Sequence, residues 1–312
     1  MSNDKWQMTR AHLALISVQL IFGTWPILGK VVLRVMSSNV LVGFRVIGAA
    51  AALLLLRRQS GEFRKMSKRD VALLVLCSML GVVLNQFLFV KGLSLTTVIN
   101  ATLLSTTIPA FTLLVSILLG FDQVSLRRII GILLAAAGVV YLVDPLRADF
   151  SAQTRTGNLL LVINSLLYGA YIAISKDIFR RYGALNVITW IFAIAAIVTL
   201  PVSAYSLSQS GLQRVSVEIW LALAYIIIVP TVIAYYLNAW ALTRVLPSTV
   251  ASYIYLQPLI AFGLAPFLLG ERFNSRVIIA GILIFAGVGV VVKRRRSQAS
   301  QEVTKRPDAL AH

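Results

Sequence analysis

The chain has 312 residues, of which 58% are hydrophobic and only 13% charged, and it carries a formal net charge of +18. A mean hydropathy of +0.85 excludes a water-soluble domain, which would bury one apolar core and pattern the rest with charge. One cysteine and two histidines at opposite ends of the chain leave no material for an intramolecular disulfide or a Cys/His metal centre.

In chain order, apolar runs of roughly 18–22 residues follow one another, each long enough to cross a hydrocarbon core of about 30 Å. They predict ten transmembrane helices at about 11–31, 39–56, 71–90, 96–119, 127–143, 157–175, 185–206, 218–240, 247–269 and 276–292. Helices are required because lipid offers no partner to an open backbone, and the alternation of barrel strands is absent. The first run follows Lys5 and Arg10 but lacks a small-residue cleavage site, so it is read as a retained helix rather than a signal peptide.

Basic residues set the orientation. With the N-terminus in the cytoplasm, 20 of the 29 Lys and Arg residues fall on that side, among them Arg57, Arg58, Arg64, Lys65, Lys68 and Arg69. Eight fall outside, and Arg45 lies within the second run. Both termini are therefore expected in the cytoplasm, in a cell inner membrane. The net charge serves orientation and attraction to anionic lipids. Nucleic-acid binding would need a basic face on a soluble surface, which this chain lacks.

The halves repeat in register. Pro109 pairs with Pro258, Asp122 with Glu271, Arg127 with Arg276 and Gly138 with Gly287, each 149 residues apart; earlier in the halves, Gly23 pairs with Gly169 and Lys30 with Lys176 at 146. Five helices per repeat is an odd number, so the second copy enters the membrane from the opposite face. The expected fold class is thus an all-α integral membrane protein built from two inverted five-helix repeats, as in secondary transporters. The domains are a cytoplasmic N-terminus (1–10), a first repeat (11–143), a periplasmic linker (144–156), a second repeat (157–293) and a polar, disordered cytoplasmic tail (294–312).

The stretch Asn238–Val292 resembles the signature half of the EamA family in the drug/metabolite transporter superfamily. The resemblance rests on Ala241-Leu242 ending the third helix of a repeat, Pro258 within the fourth, the Gly270-Glu271 turn, and Gly281 and Gly287 in the fifth. Gly92-Leu93, Pro109, Asp122, Gly131 and Gly138 form a weaker copy, in which Phe121 stands where the turn glycine would be. The resemblance spans about 11–293. It implies a ten-helix transporter of a superfamily that handles amino acids, amines, drugs, sugars and phosphorylated metabolites.

Polar residues inside the runs nominate the site, since they face other helices or a wet cavity. Asn164, Tyr168, Tyr171 and Ser175 form one helical stripe, and Gln19, Gly23, Pro26 and Lys30 another. Thr231, Tyr235 and Asn238 share a face, as do Asn85 and Phe89. The substrate-binding set is Gln19, Asn85, Tyr168, Tyr171, Tyr235, Asn238, Tyr253 and Arg45; interhelical hydrogen bonding without a ligand is the competing account. Arg45 is the deepest cation and does not readily lose its charge, so it is the residue to meet a carboxylate or other anionic group. Pro109 and Pro258 are the hinge candidates, each freeing a carbonyl four residues earlier.

The leading expectation is a secondary transporter, an exporter or facilitator of small organic metabolites such as amino acids, working by alternating access with no metal or cofactor. Import of a carboxylate- or phosphate-bearing metabolite is the alternative. No acid lies deep in a run, which argues against a carboxylate proton relay. An enzyme would need a nucleophile, acid–base or metal constellation that the inventory does not supply. A non-transport membrane role would leave the duplication without a use.

Overall fold

The computed structural model describes residues 2–58, 66–120, 126–143, 152–210, 215–245, 247–272 and 275–292. Asp122, the first part of the expected linker (144–151) and the polar tail lie outside the described residues. The described residues are helical with no strand among them. The helices are α1 (Ser2–Val32), α2 (Ser38–Arg58), α3 (Lys68–Leu95), α4 (Val98–Leu118) and α5 (Leu126–Val143). They continue as α6 (Ala152–Tyr182), α7 (Ala184–Ser210), α8 (Val217–Leu242), α9 (residues 247–269) and α10 (Ser275–Val292).

Seven helices, α1 to α4 and α6 to α8, are long and apolar enough to cross a membrane. Their outer faces carry large apolar side chains: Ile197 is 74% exposed and Leu221 65%. A continuous apolar exterior of this kind belongs against lipid, so the chain is an integral membrane protein. Polar residues sit inside instead, with Gln19, Arg45, Asn85, Gln86, Thr231 and Gln257 all buried.

Two helices, α1 and α6, run well past the predicted spans. α6, expected over 157–175, continues to Tyr182, because its last turn carries Arg181 and Tyr182 onto the start of α3. The turn from α6 to α7 is one residue, Gly183, at φ 80°, a left-handed conformation that costs glycine nothing.

Four helices are interrupted. α3 holds a π-helical turn at Met79–Val83 and α8 one at Ile228–Ile233, again about 149 residues apart in the register of the repeat. In the first, Gly81 is required: a Cβ there would lie 2.6 Å from the Tyr171 ring. In the second, Pro230 supplies the cause. It lacks an N–H, so the Ile226 carbonyl loses its helical donor, and the Thr231 hydroxyl takes that place at 2.7 Å. α4 breaks at Thr106 and Thr107, whose N–H groups turn back three residues to Leu103 and Leu104. α9 breaks through a tight turn at Tyr253–Leu256. Pro109 and Pro258 do not sit in mid-helix but open the segments that follow, where a missing N–H breaks no bond.

The helix pairings are alike in the two halves of the chain. α6 lies against α3 and α4, as α1 lies against α8 and α9; α2 packs on α7 and α5 on α10. Exchanging the halves maps each of these pairings onto another or onto itself.

Candidate functional site

α1, α2, α3, α4, α6, α8 and α9 surround a central cavity of about 70 Å³. Its wall is largely aromatic and apolar, with Phe22, Trp25, Phe89, Tyr168 and Ile172, and Gln19, Arg45, Asn85, Gln86, Asn238 and Gln257 are among its polar groups.

Arg45 is the charged residue of that wall. It projects from α2, is 1% exposed, and stacks its guanidinium on Trp25 with Cζ 3.6 Å from the ring centroid. Nη1 donates to Gln86 Oε1 at 2.6 Å. Nε and Nη2 both donate to Thr231 Oγ1, at 3.1 and 3.0 Å. The hydroxyl that repairs the proline gap in α8 therefore also holds the guanidinium. Every one of these partners is neutral. The carboxylates with assigned contacts lie at the ends of the bundle, so among the described residues Arg45 has no anionic partner.

The network continues across the halves. Gln86 Nε2 donates to Tyr235 Oη at 2.7 Å, and Tyr235 Oη donates to Asn85 Oδ1 at 3.3 Å. Gln86 and Tyr235 are themselves 149 residues apart, the spacing that also separates Pro109 from Pro258. Asn164 Nδ2 donates to the Asn85 carbonyl at 2.8 Å. Asn238 Nδ2 reaches Tyr168 Oη at 3.4 Å, and Gln257 Nε2 reaches Gln19 Oε1 at 2.6 Å.

Of the residues expected from sequence, Gln19, Arg45, Asn85, Tyr168, Tyr235 and Asn238 line the cavity. Tyr171 and Tyr253 are not in the wall. Tyr171 is buried behind Tyr168, with ring centroids 5.5 Å apart, in the space that Gly81 leaves open. The break in α9 sends Tyr253 to His12, whose Nδ1 lies 2.8 Å from the hydroxyl. Gln86, Gln257, Trp25 and Ser105 line the cavity without having been singled out. Gln86 and Gln257 are amides within apolar runs, and that polarity was the available signal.

Charged clusters mark the two ends of α3. At its start Asp70 accepts from Ser67 Oγ and Tyr182 Oη, each at 2.8 Å, and pairs with Arg181 at 2.8 Å. At the far end Lys30 Nζ donates to the Leu93 and Thr96 carbonyls at 2.7 and 2.5 Å. There too the Glu271 carboxylate accepts from the Val98 and Ile99 N–H groups at 2.7 and 3.0 Å, satisfying orphan donors at the start of α4. Lys91, near the same end of α3, is exposed. No group of three or more His, Cys, Asp or Glu side chains stands close enough to hold a metal ion among the described residues.

A membrane-embedded helical bundle enclosing a polar, cation-bearing cavity is the construction of a solute carrier. The model of the EamA-like transporter family matches the chain twice, over residues 9–143 and 155–293, and the chain belongs to that family. It is a membrane transporter. An uncharacterized transporter of Archaeoglobus fulgidus is 27% identical over 281 residues, 90% of this chain and 96% of the relative. The uncharacterized transporter YetK of Bacillus subtilis is 24% identical over 293 residues, 93% of this chain and 89% of its own. A WAT1-related protein of Arabidopsis thaliana, At3g18200, is 22% identical and covers 95% of this chain and 86% of its own length. A solved crystal structure shares the fold with a TM-score of 0.64 at 20% identity, covering 92% of this chain and 99% of the other.

Proposed function

We propose that the chain is a secondary transporter of small organic metabolites that carry a carboxylate, amino acids among them, working by alternating access between two inverted five-helix repeats. The observation that carries the reading is Arg45: a fully buried cation on the wall of the central cavity whose partners are all neutral. A buried charge is costly unless paired, and a substrate carboxylate supplies the missing charge in a bidentate geometry that suits a guanidinium. The second half of the reading draws support from the two family matches, from the π turns and helix breaks that recur in register, and from helix pairings that map onto each other when the halves are exchanged. Pro109 and Pro258, each opening the second segment of a broken helix, are the proposed hinges.

Counterflow in proteoliposomes tests the substrate class. Labelled amino acids and organic acids should exchange against unlabelled pools, while amines lacking a carboxylate should not, with or without a pH gradient. Exchange of amines alone would dismiss the carboxylate.

Orientation follows from the basic residues, with both termini in the cytoplasm. Cys77 is fully buried, so cysteines introduced elsewhere report alone. An impermeant thiol reagent on intact cells should label a cysteine placed in 149–156 and spare one in 62–68. The reverse pattern would invert the topology.

A further inference from the structure

We infer that Gln86 determines the charge class of the substrate: it presents a neutral amide oxygen to Arg45 at the point where a carboxylate of the same shape would fit, and so leaves the cation's charge to be met from outside the protein. This rests on the carboxylate reading of the site and names the residue responsible for it.

The amide is fixed at both ends. Its oxygen faces the Arg45 donor at 2.6 Å and its nitrogen faces the Tyr235 hydroxyl at 2.7 Å, and the side chain is 2% exposed. A flipped amide would set its N–H groups against the guanidinium, so the orientation is settled by its partners. Neutral acceptors and the face of Trp25 lower the cost of burying the cation but cancel none of its charge. Gln and Glu differ at this point by one group, –NH2 against –O⁻. A glutamate at 86 would accept from Arg45 at the same place and from the Tyr235 hydroxyl, and would neutralise the cavity from within. With glutamine, Nη1 is held by an acceptor that an incoming carboxylate can displace, because the carboxylate adds the attraction of an opposite charge to the hydrogen bond, which a neutral amide oxygen cannot.

The experiment uses the purified full-length protein in detergent, with sodium formate as the probe and sodium chloride at equal ionic strength as the reference. The thermal midpoint of the wild type should rise with formate in a saturable way. Gln86→Glu should start from a higher midpoint and need at least about tenfold more formate, or show no rise. Gln86→Met, similar in length but without an acceptor, should saturate at several-fold lower formate, since nothing then competes for Nη1. A wild-type response to formate retained in Gln86→Glu would overturn the inference. If Gln86→Glu does not fold, an unchanged half-saturation in Gln86→Met overturns it equally. A wild type indifferent to formate would instead remove the carboxylate reading of Arg45 on which the inference stands.

Discussion

Replacement of Arg45 by methionine is expected to abolish transport while leaving the protein about as stable as before. Truncating one side of a buried, hydrogen-bonded charge pair costs about 2–5 kcal/mol, which at about 1.4 kcal/mol per decade is roughly 30- to 4,000-fold in affinity for a carboxylate substrate. Stability follows a different balance. The cation is buried without an anion, at a desolvation cost of several kcal/mol, against which stand three hydrogen bonds to neutral acceptors and the Trp25 face. Methionine removes both the desolvation cost and these contacts, leaving Gln86 Oε1 short of a donor at about 1–3 kcal/mol, while Thr231 keeps its bond to the Ile226 carbonyl. Transport activity in proteoliposomes and the thermal midpoint of the same preparation separate the two effects. A variant that loses both together would make Arg45 a structural residue.

Tyr235→Leu and Asn238→Leu are expected to remove most transport with expression near wild type. The Tyr235 ring stands edge-on to Phe22 and Phe192, with centroids 5.9 and 5.2 Å away, and its hydroxyl joins Gln86 to Asn85. Leucine removes the hydroxyl and leaves two buried amides each short of a partner, at about 1–3 kcal/mol apiece. Tyr235→Phe keeps the ring and isolates the hydroxyl, so its loss should be intermediate, about tenfold. Ile233→Ala, on an exposed face of the same helix, is the control and should change little. Unimpaired transport in both leucine variants would remove that wall from the site.

The composition and the spacing of prolines, glycines and charges made the helical membrane architecture legible, because lipid permits few alternatives and these residues punctuate it. The six expected residues that line the cavity were legible for a related reason: a polar side chain deep in an apolar run has few places to go. What escaped was set by helix irregularity. The π turn at Met79–Val83 rotates the rest of α3 relative to a 3.6-residue period, and Gln86 reaches the cavity beside Asn85. The short turn at Tyr253–Leu256 likewise parts Tyr253, which goes to His12, from Gln257, which enters the wall. Tyr171 obeys its stripe, yet the notch at Gly81 that receives it belongs to another helix and could not be read from its own.

The Thr231 oxygen is shared between two tasks, donating to the carbonyl that Pro230 orphans and accepting from the guanidinium. Recognition and helix shape are thereby wired to one atom. An anion that drew Arg45 toward itself would relax the hold on that oxygen, and α8 would feel it at the turn where its winding is already irregular. On the proposed reading, charge at the cavity would pass to helix shape through that single oxygen.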